Sequence, residues 1–330
     1  MNPSRKLRGL AAGSALFAAA GAYAATYHIV DLGPGYAEAV AGRMVAGNAP
    51  GGTQPMRWNG TGWQNLQVLA QRFGSTTGIN AHGDVSGYAE DESFNSLAVI
   101  WPHGQSTYVA LPVPAGVSSA FATAIAADGS AAGYATSGHC LTWDADGTVH
   151  DIGTRGSTLD CHATGMNDDG QVVGYGDSNT PRHSRHAFAW KAGHFRNLPP
   201  LPGGTDTWAN GINRYGHAVG QSDGSAVMWR AVTPTDLGAP DASFEDLSAR
   251  SINDRGDVVG SGFSGTDLRY EAILYSNGSA QTLNSLVDNL GDWNLEYAMS
   301  IDNAGTIVGF GWIGSTGNQH AFQLVPTGTR

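Results

Sequence analysis

The chain has 330 residues, of which 41% are hydrophobic and 14% charged, and its formal net charge is −11. This length allows one large core or two domains, and the acidic balance argues against nucleic acid or anionic lipid as the main partner. Its 47 glycines would suit a disordered chain, but nine tryptophans and regularly spaced β-branched pairs indicate short strands joined by tight turns.

Residues 1–24 have the layout of a secretory signal peptide. A basic start precedes an apolar run too short to span a bilayer, and the segment ends in the small-residue pattern Ala-Tyr-Ala at Ala24. The alternative is a retained membrane anchor, against which the short apolar run argues. We therefore expect export of residues 25–330, to the periplasm or the cell exterior, without a membrane span. Cleavage removes three of the 17 basic residues and no acidic one.

The rest of the chain repeats one strand–turn–strand segment, typified by GMNDDGQVVGY at 165–175. The apolar residue that ends its first strand, here called the anchor, recurs six times with steps of 46, 41, 46, 40 and 49 residues. These anchors are Ile79, Ile125, Met166, Ile212, Ile252 and Ile301. A degenerate copy, AVAGRMVAG, places a seventh anchor at Val40. Seven strand-rich copies at this period predict a β-propeller.

Each repeat predicts four strands. The first ends at the anchor, and an Asx-x-x-Gly turn follows, in which the Asx side chain bonds the backbone and Gly supplies a positive φ. The second strand reads VVG or VSG, the third resembles HAFAW at 186–190, and the fourth carries an Asx-Leu pair. We expect the Trp that ends most third strands to pack between sheets rather than to contact a ligand.

The last repeat ends without a fourth strand, whereas the mature chain begins with TYHIVDLGPG. Its Asp31-Leu32-Gly33 matches the fourth-strand sequence at 236–238. We predict that this N-terminal strand completes the last blade and closes the ring, because closure removes an unpaired strand edge. The predicted fold is an all-β, seven-bladed propeller of four-stranded blades, forming one domain over residues 25–330. A monomer is expected.

The repeat [GS]-I-N-D-x-G-x-V-V-G, with His-Ala-Phe at 186–188 and 320–322 and a D-L-G strand, resembles the HAF-repeat proteins, extracellular repeat proteins of bacteria. The resemblance covers residues 27 to 330. It implies export and a repeat β fold, and it brings no established activity or catalytic residue. Two departures are visible: the first repeat lacks the Asx-Gly turn, and Cys140-Leu141 replaces Ala-Phe in the third.

The two cysteines lie in neighbouring repeats. Cys140 opens a third strand, and Cys161 precedes a first strand by a few residues. In a propeller both positions lie towards the same face, and an exported protein meets an oxidising compartment. We predict a Cys140–Cys161 disulfide, with two free buried thiols as the alternative.

Motifs for metals or for a nucleophile are weak. The G-x-S-x-G pattern at 220–224 lies in a predicted β-hairpin rather than between a strand and a helix. The Asp-rich turns lack the ligand number of a calcium loop, and the eleven histidines show no zinc spacing. No metal or cofactor is expected.

Loop length varies mainly between the second and third strands and between blades, and these loops share one face of a propeller. Loops on rigid scaffolds carry function, so this is the candidate binding face. Four residues before each anchor lies a position that we call the entrance column. Its members are Tyr36, Ser75, Phe121, His162, Trp208, Ser248 and Tyr297. Five of them are aromatic or imidazole and predict stacking platforms. Alternatively they pack between blades, because strand alternation places them on the anchor's side.

Three functions remain open from the sequence. The preferred one is a non-catalytic binding module that takes a glycan, a peptide or a cell-envelope protein. The rival is a hydrolase or lyase that uses Asp160, His162, Asp206 and Glu296 at the channel entrance, which rests on fold-level analogy. The third is a structural element of the cell surface, for which no anchor or sorting sequence is visible. Convergent titratable groups would favour the enzyme, and an aromatic-lined entrance would favour binding.

Overall fold

The computed structural model describes residues 26–154, 160–177, 184–314 and 317–328. Within these ranges 28 strands form seven four-stranded sheets, each antiparallel, which confirms the predicted seven-bladed β-propeller. Residues 1–24, the expected signal peptide, lie outside the described residues. Across the described part of the chain no helix has the length and apolar character needed to cross a membrane.

The first strand, β1 (Tyr27–Pro34), is set apart from the blade that follows it. Blades 1 to 3 each use four strands consecutive in sequence. Blade 1 contains β2 (Tyr36–Ala41), β3 (Met44–Asn48), β4 (Pro55–Trp58) and β5 (Trp63–Asn65). Blade 2 contains β6 (Gly74–Ile79), β7 (Val85–Glu90), β8 (Ser96–Trp101) and β9 (Val109–Ala110). Blade 3 contains β10 (Ala120–Ile125), β11 (Ala131–Ala135), β12 (Cys140–Trp143) and β13 (Val149–Gly153).

Blades 4 to 6 follow the same order. Blade 4 contains β14 (His162–Met166), β15 (Val172–Asp177), β16 (Arg185–Lys191) and β17 (His194–Leu198). Blade 5 contains β18 (Thr207–Ile212), β19 (Ala218–Ser222), β20 (Ser225–Arg230) and β21 (Thr233–Asp236). Blade 6 contains β22 (Phe244–Ile252), β23 (Val258–Ser264), β24 (Arg269–Ser276) and β25 (Ser279–Thr282), and a 3₁₀ turn, Leu283–Ser285, leads out of it.

Blade 7 joins the two ends of the chain. It contains β26 (Trp293–Ile301), β27 (Ile307–Ile313) and β28 (Asn318–Pro326), and its fourth strand is β1. β1 pairs antiparallel with β28. Tyr27 and Leu32 are buried and pack in two separate core clusters. The predicted closure by the N-terminal strand is therefore confirmed.

The Asx-Gly turns hold neighbouring blades together as well as closing their own hairpins. Asn167 Oδ1 accepts hydrogen bonds from the backbone N–H groups of Asp169 and Gln171, at 3.2 and 3.0 Å. Its Nδ2 donates to the carbonyl oxygen of Asn213 in the next blade, at 2.9 Å. The same cross-blade bond comes from three further turn residues: Asn80, Asn213 and Asn253. We call the side of the ring formed by these turns the exit face, and the opposite side, where innermost strands begin, the entrance face.

Three of the third-strand tryptophans pack between sheets, as predicted. Trp101, Trp143 and Trp229 are fully buried, and each indole N–H donates to a backbone carbonyl of the connection that leads into its own blade. These bonds measure 3.0, 2.7 and 2.7 Å. A buried indole needs such a partner, so the same residue fills the core and fixes the connection.

Cys140 and Cys161 form a disulfide, which confirms the predicted bond. Both are completely buried in a core cluster that includes Ala163 and Phe188. Cys140 opens β12 of blade 3, and Cys161 directly precedes β14 of blade 4. The bond therefore joins two neighbouring blades covalently.

Candidate binding site

Every innermost strand carries a β-bulge at the same place. In β14 the register moves from Ala163 opposite Gly174 to Gly165 opposite Val173, which leaves Thr164 unpaired. The corresponding bulged residues in the other blades are Glu38, Thr77, Thr123, Asn210, Arg250 and Met299. All seven line the central channel. Bulges of this kind redirect side chains, and here they create a ring of mostly polar groups.

The bulge corrects one part of the sequence interpretation. Simple alternation would place an entrance-column residue on the same side of its strand as the anchor. In blade 4, His162 pairs with Tyr175 and Met166 pairs with Val172. These two partners are an odd number of residues apart along β15, and such residues face opposite sides of a sheet. The two side chains therefore lie on opposite sides of the sheet. Met166 packs in a core cluster with Ala163, whereas His162 contacts aromatic rings of the entrance face.

Five rings form a continuous series, which we call the first arc. It runs from Tyr88 through Phe121, Tyr134 and His162 to Tyr175, across blades 2 to 4. Successive ring centroids are 5.1, 5.1, 4.6 and 5.0 Å apart. Stacked pairs within a blade alternate with edge-on pairs between blades, both of which are favourable aromatic geometries. All five side chains are half-buried, so each ring is held by its neighbours and still meets solvent.

Arg185 continues the first arc towards Trp208. Its guanidinium carbon lies 5.8 Å from the centroid of the Tyr175 ring and 5.3 Å from that of the Trp208 ring. It also forms an ion pair with Asp177, with Nε 3.7 Å from Oδ1. The cation therefore bridges blades 4 and 5 by contacts with two ring faces.

A second arc lies across the ring. Tyr270 stacks on Tyr297 at 5.3 Å, Tyr297 stacks on Phe310 at 4.9 Å, and Phe310 meets Tyr36 edge-on at 5.1 Å. This arc spans blades 6, 7 and 1. Among the described residues, the entrance face thus presents two aromatic arcs rather than one complete ring.

Polar side chains separate the two arcs at blades 5 and 6. Asp246 lies at a bulge in β22 with φ of 50°, a left-handed conformation that Asp tolerates better than most residues. Its carboxylate accepts hydrogen bonds from Gln221 Nε2 at 3.0 Å and from the Tyr270 hydroxyl at 2.7 Å. The Tyr270 hydrogen bond to Asp246 raises the pKa of Tyr270 to about 12. The phenol therefore remains a hydrogen-bond donor at physiological pH.

The structure brings two of the four residues of the enzyme hypothesis together. His162 Nε2 lies 3.1 Å from Asp160 Oδ2, and Asp160 Oδ1 accepts the backbone N–H of Asp177 at 2.7 Å. Asp206 belongs to the connection into blade 5 and Glu296 to β26. In the described part of the chain neither is hydrogen-bonded to the Asp160–His162 pair. Burial raises the pKa of Glu296, against a hydrogen bond with Trp312 that lowers it.

The entrance column contains four of the nine rings in the two arcs and omits five. Four of the omitted rings follow the glycine of a second strand directly, in VSGY, AAGY, VVGY and IVGF: Tyr88, Tyr134, Tyr175 and Phe310. This recurrent aromatic was the available signal. The glycine before it is required because a Cβ at Gly174 would collide with the carbonyl oxygen of His162 in the facing strand.

Among the described residues, no group of three or more His, Cys, Asp or Glu side chains is arranged to hold a metal ion.

The seven bulged residues that line the channel include one acid, Glu38, and one base, Arg250. Burial raises the pKa of Glu38, opposed by a hydrogen bond with Asn48 and by the charge of Arg250. A carboxyl whose pKa is raised on folding stabilises the fold while it is protonated, and this contribution is lost as pH rises through the raised pKa. Glu38→Gln should therefore raise the free energy of unfolding at neutral pH.

Urea denaturation of both proteins at about pH 4 and pH 7 tests this expectation. The two should converge at the lower pH, where Glu38 is protonated. Glu92→Gln, in an exposed loop, is the matched control. An equal difference at both pH values would show that ionisation of Glu38 does not influence stability.

The chain matches no protein-family model and no curated protein. Among solved structures it is similar to a catalytically inactive virginiamycin B lyase from Staphylococcus aureus, crystallised with quinupristin. That match has a TM-score of 0.58 and 10% identity, over 91% of this chain and 99% of the lyase.

Two further propellers are similarly related. YCF48 bound to D1 peptide has a TM-score of 0.57 and 12% identity, over 91% of this chain and 97% of that one. YCF48 from Cyanidioschyzon merolae has a TM-score of 0.57 and 9% identity, over 92% and 100%. The chain spans only 50% of dipeptidyl peptidase 4 from Porphyromonas gingivalis and 40% of an extracellular domain from B. thetaiotaomicron. At these identities the similarity establishes a seven-bladed propeller fold and nothing finer.

Proposed function

We propose that this chain is an exported, non-catalytic binding module whose entrance face takes a glycan, a peptide or a cell-envelope protein against its aromatic arcs. The observation that carries this proposal is the first arc, a series of half-exposed rings in contact from blade 2 to blade 4. Aromatic faces of this kind stack on sugar rings and on flat or apolar side chains.

The rings are fixed before any ligand arrives. Each ring of the first arc contacts its neighbours at 4.6 to 5.1 Å, so binding would cost little side-chain entropy. The variable loops are anchored on the same face. The N–H groups of Glu90 and Asp223 donate to the carbonyl oxygens of Phe73 and Asp206, in the connections into their own blades. A rigid base with variable loops around it suits recognition.

The Asp160–His162 pair supports the second candidate, a hydrolase or lyase. A carboxylate that orients an imidazole is a common arrangement in general base catalysis. Here His162 also stacks on Tyr175 at 5.0 Å and meets Tyr134 edge-on at 4.6 Å, so it belongs to the arc itself. This contact with two rings favours a role in stacking over one in proton transfer.

Trp208→Ala should weaken ligand binding about tenfold, since stacking on an aromatic contributes about 0.5–1.5 kcal/mol beyond buried area. Trp208 is half-exposed and lies beneath Arg185. We therefore expect a small change in Tm rather than the loss of about 3–5 kcal/mol that follows removal of a core Trp. Screening the mature protein on glycan and peptide arrays identifies the ligand, and calorimetry with the best hit measures the affinity.

Tyr215→Ala is the control, because Tyr215 is an exposed aromatic on the exit face. It should leave affinity for that hit unchanged. A large loss of stability with unchanged affinity would remove Trp208 from the site. Turnover of an array hit that is abolished in His162→Gln would replace the binding module with the enzyme.

A further inference from the structure

A guanidinium fills the boundary between blades 1 and 2 on the exit face. Arg57 in β4 is 2% exposed and reaches across to blade 2. It donates to the carbonyl oxygens of Gly83 and Pro102, both at 3.0 Å, and to that of Gln105 at 2.5 Å. The backbone carbonyl oxygens at the turns of the following blade can therefore bind a planar cation.

The equivalent residue in blade 3 is short. Arg57 directly precedes Trp58 and pairs with Ala46, and Thr142 directly precedes Trp143 and pairs in the same way with β11. Two other blade boundaries are filled by long side chains at the turns between first and second strands. Gln171 lies against Gly216 between blades 4 and 5, and Arg255 lies against Gly305 between blades 6 and 7.

Between blades 3 and 4 the described residues provide no such long side chain. The turn residue of blade 3 that corresponds to Gln171 is Ser130, so both available side chains, Ser130 and Thr142, are small. A cavity of about 810 Å³ opens there, which we call the blade 3–4 groove. At Gly170, the counterpart of Gly83, a Cβ would meet no atom within 4 Å.

The lining of this groove suits a cation with a flat face. Trp190 and Met166 form an apolar wall, and both are half-buried. Five aspartates line the rest: Asp128, Asp144, Asp151, Asp168 and Asp169. Of these, Asp151 already forms an ion pair with His139, whose Nδ1 lies 2.8 Å from Asp151 Oδ2. The one basic side chain among the lining residues is His150, whose Nε2 lies 2.8 Å from Asp144 Oδ2. The described residues that line the groove therefore carry a strong excess of negative charge.

We propose that the blade 3–4 groove receives an arginine side chain presented by a partner protein. The guanidinium would stack on Trp190 and pair with the aspartates, two contacts that arginine makes better than lysine. The molecule itself provides the precedent, since its own Arg57 occupies the equivalent boundary two blades away. This site lies on the exit face and is independent of the ligand proposed for the entrance face.

The first test uses short peptides as probes. Acetyl-Gly-Arg-Gly-amide should bind the mature protein at least tenfold more tightly than the same peptide with citrulline, which has the shape of arginine without its charge. Titration followed by tryptophan fluorescence and calorimetry measures both affinities. Rising salt should weaken only the arginine peptide. Equal affinity of the two peptides, or no detectable binding of either, would overturn the proposal.

The second test fills the groove from inside. Thr142→Arg places a guanidinium where Arg57 lies in blade 1 and should weaken binding of the arginine peptide at least tenfold. Thr142→Val keeps the groove open and should bind as the parent does. Unchanged binding in a folded Thr142→Arg protein would contradict the assignment of the site.

A third variant decides the question if Thr142→Arg does not fold. The double substitution Asp144→Asn, Asp169→Asn removes two exposed carboxylates from the rim and should weaken the arginine peptide about tenfold. Asp241→Asn, in an exposed entrance-face connection, is the control and should change nothing. Equal affinities for the double variant and this control would show that the groove does not bind the cation.

Discussion

Deletion of residues 25–33 is expected to unfold the ring rather than to trim it. The deleted segment supplies most of β1, the fourth strand of blade 7, and with it Tyr27 and Leu32. Leu32 packs in a core cluster shared with blade 1, so the loss affects two blades. Even the single substitution Leu32→Ala should cost about 2–5 kcal/mol, the usual range for a buried leucine.

Thermal unfolding followed by circular dichroism measures this effect. The matched control is His28→Ala, on an exposed position of the same strand, which should melt with the parent protein. A truncated protein with the parent Tm would mean that β1 does not close the ring.

Loss of the disulfide should have the second largest effect. The bond joins residues 21 positions apart, and constraining an unfolded loop of this length contributes about 3 kcal/mol in the chain-entropy model. We therefore expect Cys140→Ala, Cys161→Ala to unfold at lower urea concentration than the parent. Replacing both residues avoids leaving a single free thiol in the core.

Reductant provides the control for this prediction. It should lower the stability of the parent protein and leave that of the double variant unchanged. Mass spectrometry of the exported protein without reductant should show no alkylatable thiol. Identical urea midpoints for parent and double variant would show that the bond is not a source of stability.

The fold could be predicted from the sequence because its determinants are local and repeated. An Asx-x-x-Gly turn such as that of Asn167 predicts a hairpin from its own chemistry, and its recurrence gives the number of blades. The closing strand was identifiable because Asp31-Leu32-Gly33 repeats the pattern of β21 and the residues after it. In each case three or four neighbouring residues are enough to predict the local structure.

The candidate site depends on contacts between repeats, which the sequence does not display. The bulge at Thr164 reverses the side on which His162 lies, and strand periodicity alone contains no mark of it. Tyr134 and His162 are in contact but belong to different blades and to different positions of the repeat. The entrance column, which follows one repeat position, therefore contains His162 and not Tyr134. The blade 3–4 groove is less visible still, because it follows from the absence of a long side chain at Thr142.

From the pairing of β1 with β28 we infer an order of folding for the molecule. Thr26 and Thr327, hydrogen-bonded just beyond the ends of these two strands, lie 301 positions apart in sequence. Contacts over such separations form late, since a long chain segment must be ordered before they can be made. Blades 1 to 6 each consist of strands close in sequence and can form first, whereas blade 7 must wait for both ends. Until then β28 presents an unpaired apolar edge, so we expect association between incompletely folded chains to begin at blade 7.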